Sequence, residues 1–349
     1  MKIGLINNLY KPYNVGGAEK VVEKMITNFK EAGHDVFLIS TNPKNNNQRE
    51  SAGLKIYYLK SNFYNLKRIP FPLHFFWHLN NIYSFKKARA IKNILITEKP
   101  DLIITHNLVG IGFRTPKIIS DLNITHHHFL HDIQLLHPSG LMLYNQESRL
   151  NSLPAKIYQS LTRKLIASPK KIISPSRWLM EEHIKRGFFK NSEQEIRPCL
   201  TKNNANTLNT KEKKAHNFLF VGQVEKHKGI IFLISTFKEL KNPNLRLKII
   251  GHGNEFKAAK LVAQEDRRIE FLGYLETSKV REAMAENDYL IAPSLCYENS
   301  PTIIYEAHSV GLKVIASNIG GIPEITQEND ILFEPGNQAD LTKKIENII

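Results

Sequence analysis

Short apolar runs alternate with stretches of helical periodicity along the first 200 residues. The chain opens with an apolar run from Lys2 to Asn7, which predicts a buried strand. A loop follows, and apolar residues spaced three and four apart then predict a helix that ends at Gly33. The same alternation predicts strands at 36–40, 56–59, 102–105, 124–129 and 172–175, and helices near 83–96, 153–167 and 176–187. This order of elements indicates a parallel sheet that is covered on both faces.

The alternation stops after about 200 residues and then restarts. Residues 201–216 are rich in Lys, Asn and Thr, which indicates a linker. Beyond it, strands are predicted at 218–221, 245–250, 269–272, 289–292, 313–316 and 331–333, and helices near 229–240, 277–286, 302–310 and 340–348. We therefore expect an α/β protein with two Rossmann-like doubly wound domains, residues 1–200 and 217–349, that face each other across a cleft. Ligands of such sheets bind at the carboxyl ends of the strands.

The length and composition agree with two ordinary globular domains. The chain has 349 residues, of which 42% are apolar and 23% are charged, and this excludes collagen-like and disordered proteins. No run of about 18 apolar residues occurs, so no membrane-spanning helix is predicted. The two cysteines, Cys199 and Cys296, are far apart in sequence, which indicates a reducing compartment and argues against structural zinc.

Positive charge is concentrated in the first part of the chain. The net charge is +15, and residues 1–200 contain 29 Lys and Arg against 14 Asp and Glu, whereas residues 201–349 are neutral overall. Such a field favours an anionic partner, which is a lipid surface, a phosphorylated acceptor or nucleic acid. A lysine-rich composition without any partner is the alternative. The aromatic and basic run at 68–92 is compatible with a bilayer interface or with a core helix that has a solvated basic face.

The segment richest in candidate chemistry reads SLCYENSPTIIYEAHSVGLKVIASNIGGIPE. Ser300 is a suitable N-cap and Pro301 a suitable first helical residue, so we expect a helix to begin soon after Glu298. The free amides near Thr302 would then form a phosphate site. Glu306 offers two oxygens to a vicinal diol such as a ribose. An isolated Glu near a helix start also serves as a simple partner for the helix dipole.

This segment resembles the signature of glycosyltransferase family 4, whose members are retaining nucleotide-sugar enzymes with the GT-B fold. The resemblance lies in two glutamates separated by seven residues, Glu298 and Glu306, followed by LKVIASNIGGIPE. It implies that Glu306 holds the ribose and that Glu298 is a catalytic residue that contacts the donor sugar. It also implies that the backbone from Asn299 to Thr302 holds the diphosphate.

Three further segments match the family in the same order, so the resemblance covers nearly the whole chain. VGGAE resembles the family's first glycine-rich loop, which would place the amides of Gly16 and Gly17 near the donor phosphate or the acceptor. FLHDIQLLHPSG resembles its strand-end histidine motif, which implies a catalytic His131 near the sugar and the acceptor. VGQVEKHKG resembles a loop that would put Lys228 on the diphosphate, but Gln223 occupies the family's arginine position and brings no charge. Stabilisation of the leaving group would then depend mainly on Lys228 and the helix end.

The resemblance implies a retaining hexosyl- or related glycosyltransferase that makes a surface polysaccharide or a glycolipid. Its partners would be a nucleotide-diphosphate sugar, as substrate, and a glycan or lipid-linked acceptor, with no cofactor and no nucleic acid. We expect a cytoplasmic protein at the inner face of the plasma membrane, where the basic first domain meets anionic lipids. Family members usually continue with a helix that crosses back to the first domain, and we expect this final helix to be missing, because the chain stops soon after the helix from Asp340.

No metal is expected at the site. No two aspartates are two residues apart, so the D-x-D metal motif of the other large glycosyltransferase fold is absent from the sequence. His126, His127, His128 and His131 cluster in sequence, but no carboxylate or cysteine stands at ligand spacing beside them. Three alternatives remain open on the same architecture: a nucleotide-sugar epimerase, a phosphorylase, and a basic binding protein in which the change to Gln223 marks weakened catalysis.

Overall fold

The computed structural model describes residues 1–13, 16–44, 46–61, 84–198 and 216–349. The chain divides into two compact units. The first unit comprises Met1–Leu141 and Ser148–Pro198, and the second comprises Met142–Glu147 and Cys199–Ile349. The predicted linker lies outside the described residues apart from His216, so the domain boundaries drawn from the sequence stay a prediction.

The first unit is an eight-stranded sheet with helices on its faces. Its strands are β1 (Lys2–Ile6), β2 (Asp35–Asn42), β3 (Asn47–Ser51), β4 (Leu54–Lys60), β5 (Leu102–Thr105), β6 (Thr125–Phe129), β7 (Lys171–Ser174) and β8 (Glu193–Ile196). Its helices are α1 (Gly17–Glu31), α2 (Phe85–Glu98), α3 (Thr115–Asp121), α4 (Leu153–Ile166) and α5 (Arg177–Ile184). The strand order is β3-β4-β2-β1-β5-β6-β7-β8, and every pairing is parallel except that of β3 with β4.

Helix α1 illustrates how the sequence pattern produces the fold. Val21, Val22 and Ile26 are buried on one face of this helix, as the spacing of its apolar residues predicts. Gly33 follows the helix with a φ of +78°, and its N–H donates to the Lys30 carbonyl at 3.0 Å. This left-handed glycine satisfies a carbonyl of the last turn, which explains why the helix ends there.

Helices α2, α3 and α4 lie side by side on one face of this sheet, because α2 packs against α3 and α3 against α4. Each of them precedes the next parallel strand in the order β5, β6, β7, so each runs antiparallel to the strands. Their amino ends therefore lie at the carboxyl edge of the sheet.

A buried carboxylate joins three elements of the first unit. Glu98, at the end of α2, accepts hydrogen bonds from Lys2 of β1, at 2.6 Å, and from Lys55 of β4, at 2.5 Å. The phenol of Tyr57 also donates to Glu98. Burial raises the pKa of Glu98, but these three donors outweigh it and lower the pKa to about 2.

The second unit is a six-stranded parallel sheet in the order β11-β10-β9-β12-β13-β14. Its strands are β9 (Asn217–Val221), β10 (Arg246–Ile250), β11 (Ile269–Gly273), β12 (Tyr289–Ala292), β13 (Lys313–Ser317) and β14 (Ile331–Phe333). Its helices are α6 (Ile230–Glu239), α7 (Phe256–Ala263), α8 (Thr277–Ala285), α9 (Thr302–His308), α10 (Ile322–Ile325) and α11 (Gln338–Glu346). Along β9, Phe218 and Phe220 enter one core cluster and Leu219 enters another, so both faces of the sheet are covered.

The predicted α/β class of the chain is confirmed, since both units are Rossmann-like and their sheets are mostly parallel. The pattern missed β3 and β8, which are polar strands at the two edges of the first sheet. It also missed the short helices α3, α7 and α10. Within the described ranges, no helix is both long enough and apolar enough to cross a membrane.

Candidate active site

Loops at the carboxyl edge of the second sheet are hydrogen-bonded to one another. In the β9 loop, residues 222–229, the Val224 N–H donates to the His252 carbonyl in the loop after β10 at 3.1 Å. The His227 carbonyl of the same β9 loop accepts from the Leu295 N–H of the loop after β12 at 2.8 Å. The loops after three neighbouring strands of the sheet, β10, β9 and β12, are thus connected through their backbones at the edge where parallel sheets bind ligands.

Two glycines allow these loops to approach closely. Gly229 has a φ of +73°, and a Cβ at this position would lie 1.9 Å from the Pro293 carbonyl oxygen. Gly320, after β13, has a φ of +61°, and a Cβ there would lie 2.3 Å from the Glu298 carbonyl oxygen. The N–H of Gly321 donates to that same carbonyl at 2.8 Å. Any larger residue at Gly229 or Gly320 would therefore displace the β12 loop, residues 293–301.

Lys228 and Glu298 form an ion pair in which the ammonium donates to the Glu298 Oε1. The Ser294 hydroxyl donates to this oxygen at 3.0 Å, and the Cys296 thiol lies 3.8 Å from it. The Lys228 and Glu298 side chains are 26% and 15% exposed. Burial opposes both charges, but the attraction between the two groups outweighs it, so the pKa of Lys228 is raised and that of Glu298 is lowered. All three of these donors meet at Oε1, and none of them contacts Oε2.

The residues after Glu298 differ from the sequence expectation in one respect. Helix α9 begins at Thr302 and Pro301 is its N-cap, so the prediction that Ser300 caps the helix is wrong. Pro301 has extended dihedral angles, which delays the helix by one residue. The Ser300 hydroxyl is hydrogen-bonded to the Tyr305 hydroxyl at 3.0 Å instead. Asn299 is buried and Glu306 is partly buried in the second turn of α9.

Gln223 lies in the same β9 loop as Lys228, and its side chain is exposed. Its carbonyl accepts a hydrogen bond from the Glu225 N–H at 2.9 Å. The residue of this loop that contributes a positive charge beside Glu298 is Lys228, five residues after Gln223.

A segment from the middle of the chain completes the second unit. Residues 142–147 are flanked in sequence by the first unit but belong to the second. Leu143 forms an isolated antiparallel bridge with Cys296. The Tyr297 N–H donates to the Met142 carbonyl at 2.8 Å. The 142–147 segment is thus hydrogen-bonded along the loop that carries Glu298.

A side-chain contact strengthens this attachment. The Tyr297 hydroxyl donates to Glu147 Oε1 at 2.8 Å, and the Asn145 N–H donates to the same oxygen at 2.9 Å. Burial raises the pKa of Glu147, but hydrogen bonds from its own backbone N–H, from the Tyr297 hydroxyl and from the Asn145 N–H outweigh burial, so the pKa is lowered. Glu147 is therefore an anion that holds a residue adjacent to Glu298 in sequence.

The first unit contains the remaining residues singled out by the sequence. Gly16 precedes α1, and Gly17 is the first residue of that helix. The Gly16 N–H donates to Glu19 Oε2 at 2.8 Å. In this structure the amide of Gly16 is therefore used within the helix start.

His131 follows β6 and is stacked on Phe129, with ring centroids 4.8 Å apart. Its Nε2 is hydrogen-bonded to Nδ1 of His106, at the end of β5, with 2.8 Å between the nitrogens. Burial lowers the pKa of His131 to about 3 and lowers that of His106 as well. Both imidazoles are consequently neutral near pH 7, and one nitrogen of the pair donates to the other.

Two of the three histidines on β6, His126 and His128, are hydrogen-bonded through their rings to one hydroxyl. Thr105 Oγ1 lies 2.7 Å from His126 Nε2 and 2.7 Å from His128 Nδ1. Burial lowers the pKa of His126 to about 3 and also lowers that of His128. Within the part of the chain that the structure describes, no group of three potential ligands is arranged to hold a metal ion.

In each unit, residues that contact the predicted site residues were not found from the sequence. His106, Ser294 and the pair Tyr297 and Glu147 all contact predicted site residues or their loop. The signal for His106 was its position immediately after a predicted strand, where side chains reach the ligand edge of a sheet. Ser294 likewise follows a strand closely, whereas the contact of Glu147 spans 150 residues of sequence and has no local signal.

Two family models match this chain in succession. The model described as Glycosyltransferase Family 4 matches residues 15–198, and the model described as Glycosyl transferases group 1 matches residues 215–349. A similar curated protein is an uncharacterized 42.6 kDa protein in the cps region of Klebsiella pneumoniae, 29% identical over 100% of this chain and 96% of that one. The sulfoquinovosyl transferase of Arabidopsis thaliana is 29% identical, over 38% of this chain and 26% of its own length.

Solved structures share the fold at low sequence identity. Sucrose-phosphate synthase from Thermosynechococcus elongatus has a TM-score of 0.70 and 18% identity, over 99% of this chain and 89% of that one. The Anabaena protein HepE, solved in complex with UDP-glucose, has a TM-score of 0.67 and 15% identity, with the same two coverages. The lipopolysaccharide outer core galactosyltransferase WaaB has a TM-score of 0.67 and 18% identity, over 100% of this chain and 90% of that one. The chain belongs to glycosyltransferase family 4 and is a glycosyltransferase with the GT-B fold.

Proposed function

We propose that this glycosyltransferase moves a hexosyl or related sugar from a nucleotide-diphosphate donor to a glycan or lipid-linked acceptor, with retention of anomeric configuration. The observation that carries the proposal is the ion pair of Lys228 and Glu298 at the carboxyl edge of the second sheet. The product would be a surface polysaccharide or a glycolipid. The relatives support this assignment, because one lies in a cps region and another is named a sulfoquinovosyl transferase.

Lys228 would bind the diphosphate of the donor. Its ammonium has three N–H groups, of which one donates to Glu298 in the part of the chain that the structure describes, and the other two would donate to phosphate oxygens. Cleavage of the anomeric bond places negative charge on the diphosphate, and a fixed cation stabilises that charge more in the transition state than in the ground state. In this proposal Lys228 therefore supplies positive charge without a metal ion or another cofactor.

Glu298 would contact the donor sugar. Oε1 is occupied by Lys228 and Ser294, so Oε2 would accept a hydrogen bond from a sugar hydroxyl. Glu306 would accept the two hydroxyls of the ribose, and the backbone from Asn299 to Thr302 would hold the diphosphate. Structural neighbours that were solved in complex with UDP and with UDP-glucose support a nucleotide-sugar donor.

His131 would act as a neutral hydrogen-bonding group for the sugar and the acceptor. Its low pKa fits this role, because a neutral imidazole does not compete with the developing positive charge at the anomeric carbon. Gly16 and Gly17 would approach the donor phosphate or the acceptor. The carboxylate of Glu298 is already paired with Lys228, which favours same-face attack by the acceptor over a covalent intermediate.

The test of the proposal is a thermal-shift screen against UDP-, GDP-, ADP- and CDP-sugars. A donor at about 100 times its Kd stabilises the protein by about 2.7 kcal/mol, so one sugar nucleotide should raise the Tm clearly. Lys228→Met should abolish turnover with a smaller loss of binding, and Glu306→Ala should weaken binding of the nucleotide itself. Lys226→Met is the matched control, because Lys226 is an exposed lysine two residues earlier in the same turn. A protein that no nucleotide sugar stabilises, or a Lys228→Met variant with normal turnover, would contradict the proposal.

A further inference from the structure

Two helices of the first unit, α2 and α4, begin at the same edge of its sheet with exposed apolar side chains. Phe85, the first residue of α2, is 68% exposed. Leu153, the first residue of α4, is 72% exposed, and Ile157 lies one turn later on the same helix and is 56% exposed. Large apolar side chains at this level of exposure are unusual when they are grouped at one edge of a sheet.

Exposed basic residues lie on the same two helices as these apolar side chains. Lys86 and Arg89 on α2 and Lys156 on α4 are all exposed. Neither helix has an acidic residue in its first turn, although helix starts normally favour acids over bases. The guanidinium of Arg114, the N-cap of α3, lies 4.3 Å from the centre of the Phe85 ring and connects the starts of α2 and α3. The starts of α2 and α4 therefore carry positive charge, although a helix start normally favours negative charge.

Lys87 is excluded from this surface. Its ammonium donates to the Gly110 carbonyl at 2.5 Å and to the Ser61 hydroxyl at 3.2 Å. Burial lowers the pKa of Lys87 to about 8. Of the two adjacent lysines at the start of α2, Lys86 is therefore the one that is presented to a partner. The aromatic residues of the 68–92 run, up to and including Tyr83, lie outside the described residues.

We infer that Phe85, Lys86, Arg89, Leu153, Lys156 and Ile157 form a surface that docks on an anionic lipid bilayer, named here the bilayer-docking surface. Apolar tips enter the acyl boundary of a bilayer while the neighbouring lysines and arginine meet anionic headgroups. Nucleic acid would also bind these basic side chains, but it offers no apolar interior in which Leu153 and Ile157 could be buried. The inference deepens the proposed function, on which it rests for the lipid-linked acceptor, by naming the face that reaches the lipid.

The bilayer-docking surface is tested by cosedimentation of the full chain with sucrose-loaded vesicles. The vesicles contain either phosphatidylcholine alone or an equal mixture with phosphatidylglycerol. The chain should bind only the anionic vesicles, and binding should weaken with salt. Leu153→Ser with Ile157→Ser should lower the partition coefficient at least about ten-fold, because both apolar side chains are lost. Lys156→Gln should lower it about five-fold.

The matched control is Leu261→Ser, since Leu261 lies on α7 of the second unit and is 70% exposed. It should bind vesicles like the unchanged chain. All substitutions are at exposed positions, and circular dichroism would verify that each variant is folded. Binding to the vesicles that is unaffected by the Leu153 and Ile157 changes would overturn the inference, as would equal binding to neutral vesicles. Binding to a DNA or RNA oligonucleotide in preference to anionic vesicles would also overturn it. None of these outcomes depends on sugar transfer, so a failed donor screen is distinguishable from a failed docking surface.

Discussion

Replacement of Tyr297 by Phe tests whether the 142–147 segment holds the β12 loop in place. The change removes one hydroxyl, which donates to Glu147 Oε1 at 2.8 Å, and leaves the ring. A hydrogen bond to a charged group contributes about 1.5–3 kcal/mol when buried. Because Tyr297 and Glu147 are only partly buried, and the Asn145 N–H still binds the same oxygen at 2.9 Å, we expect a loss of about 1 kcal/mol.

This loss should appear as local opening of the β12 loop. A change of about 1 kcal/mol raises the opening equilibrium about five-fold, so amides that exchange through local opening should exchange about five times faster. Hydrogen exchange followed by mass spectrometry of peptides that cover residues 293–301 measures this rate.

Tyr274→Phe is the matched control, because Tyr274 is 80% exposed and belongs to the same unit. This variant should exchange and turn over like the unchanged protein. Glu147→Gln keeps an acceptor oxygen for the Tyr297 hydroxyl. This variant should therefore retain part of the protection from exchange that Tyr297→Phe loses. Equal exchange of the 293–301 peptides in Tyr297→Phe and Tyr274→Phe would refute the reasoning.

Three further predictions concern charge and close packing. Lys228→Met leaves Glu298 partly buried without its cation, so the Tm should fall, and Lys228→Met with Glu298→Gln should recover part of the loss in a thermal-denaturation series. Gly320→Ala should destabilise the second unit, because a residue with a Cβ costs about 1–2 kcal/mol in the left-handed conformation. The total loss should be larger, since the new Cβ would also contact the Glu298 carbonyl. A Tm equal to that of the unchanged protein would contradict this. The pKa of Glu98 in the folded protein lies below its ordinary value, so ionised Glu98 contributes up to about 3 kcal/mol to the free energy of unfolding. This contribution is complete at pH values above the ordinary pKa and is lost as the pH falls toward about 2. The difference in Tm between the unchanged protein and Glu98→Gln should therefore narrow from pH 7 to pH 3, and a constant difference would rule out this ion pair as the cause.

The buried strands and most helices of this fold follow from local sequence patterns. The strands at 102–105, 289–292 and 331–333 have the predicted bounds, because each is an apolar run between polar or glycine-containing loops. The strands β3 and β8 could not be predicted in this way, because edge strands are polar on both faces and are determined by pairing with β4 and β7.

The candidate site shows the same division between local and long-range information. Lys228 and Glu298 were each found from a motif, and the structure brings them into direct contact across 70 residues of sequence. Motifs identified the residues but not the pairing, since a pairing depends on which loops follow adjacent strands. The contact of Glu147 with Tyr297 was beyond prediction, because it requires residues 142–147 to leave one unit and join the other.

The protonation states near pH 7 of the groups assigned to the proposed chemistry are determined by their surroundings, and Asp132 differs from the others. Lys228 is held as a cation and Glu298 as an anion because each displaces the pKa of the other away from neutrality. His131 is neutral because burial lowers its pKa to about 3. Asp132, the next residue, is different, because burial raises its pKa to about 6 although the Gln134 N–H donates to its Oδ1 at 2.7 Å. A raised carboxylate pKa favours the protonated folded state at low pH, and this preference is lost as the pH rises through about 6. Among these four groups, Asp132 is therefore the one through which a change of pH near neutrality reaches the loop that carries His131.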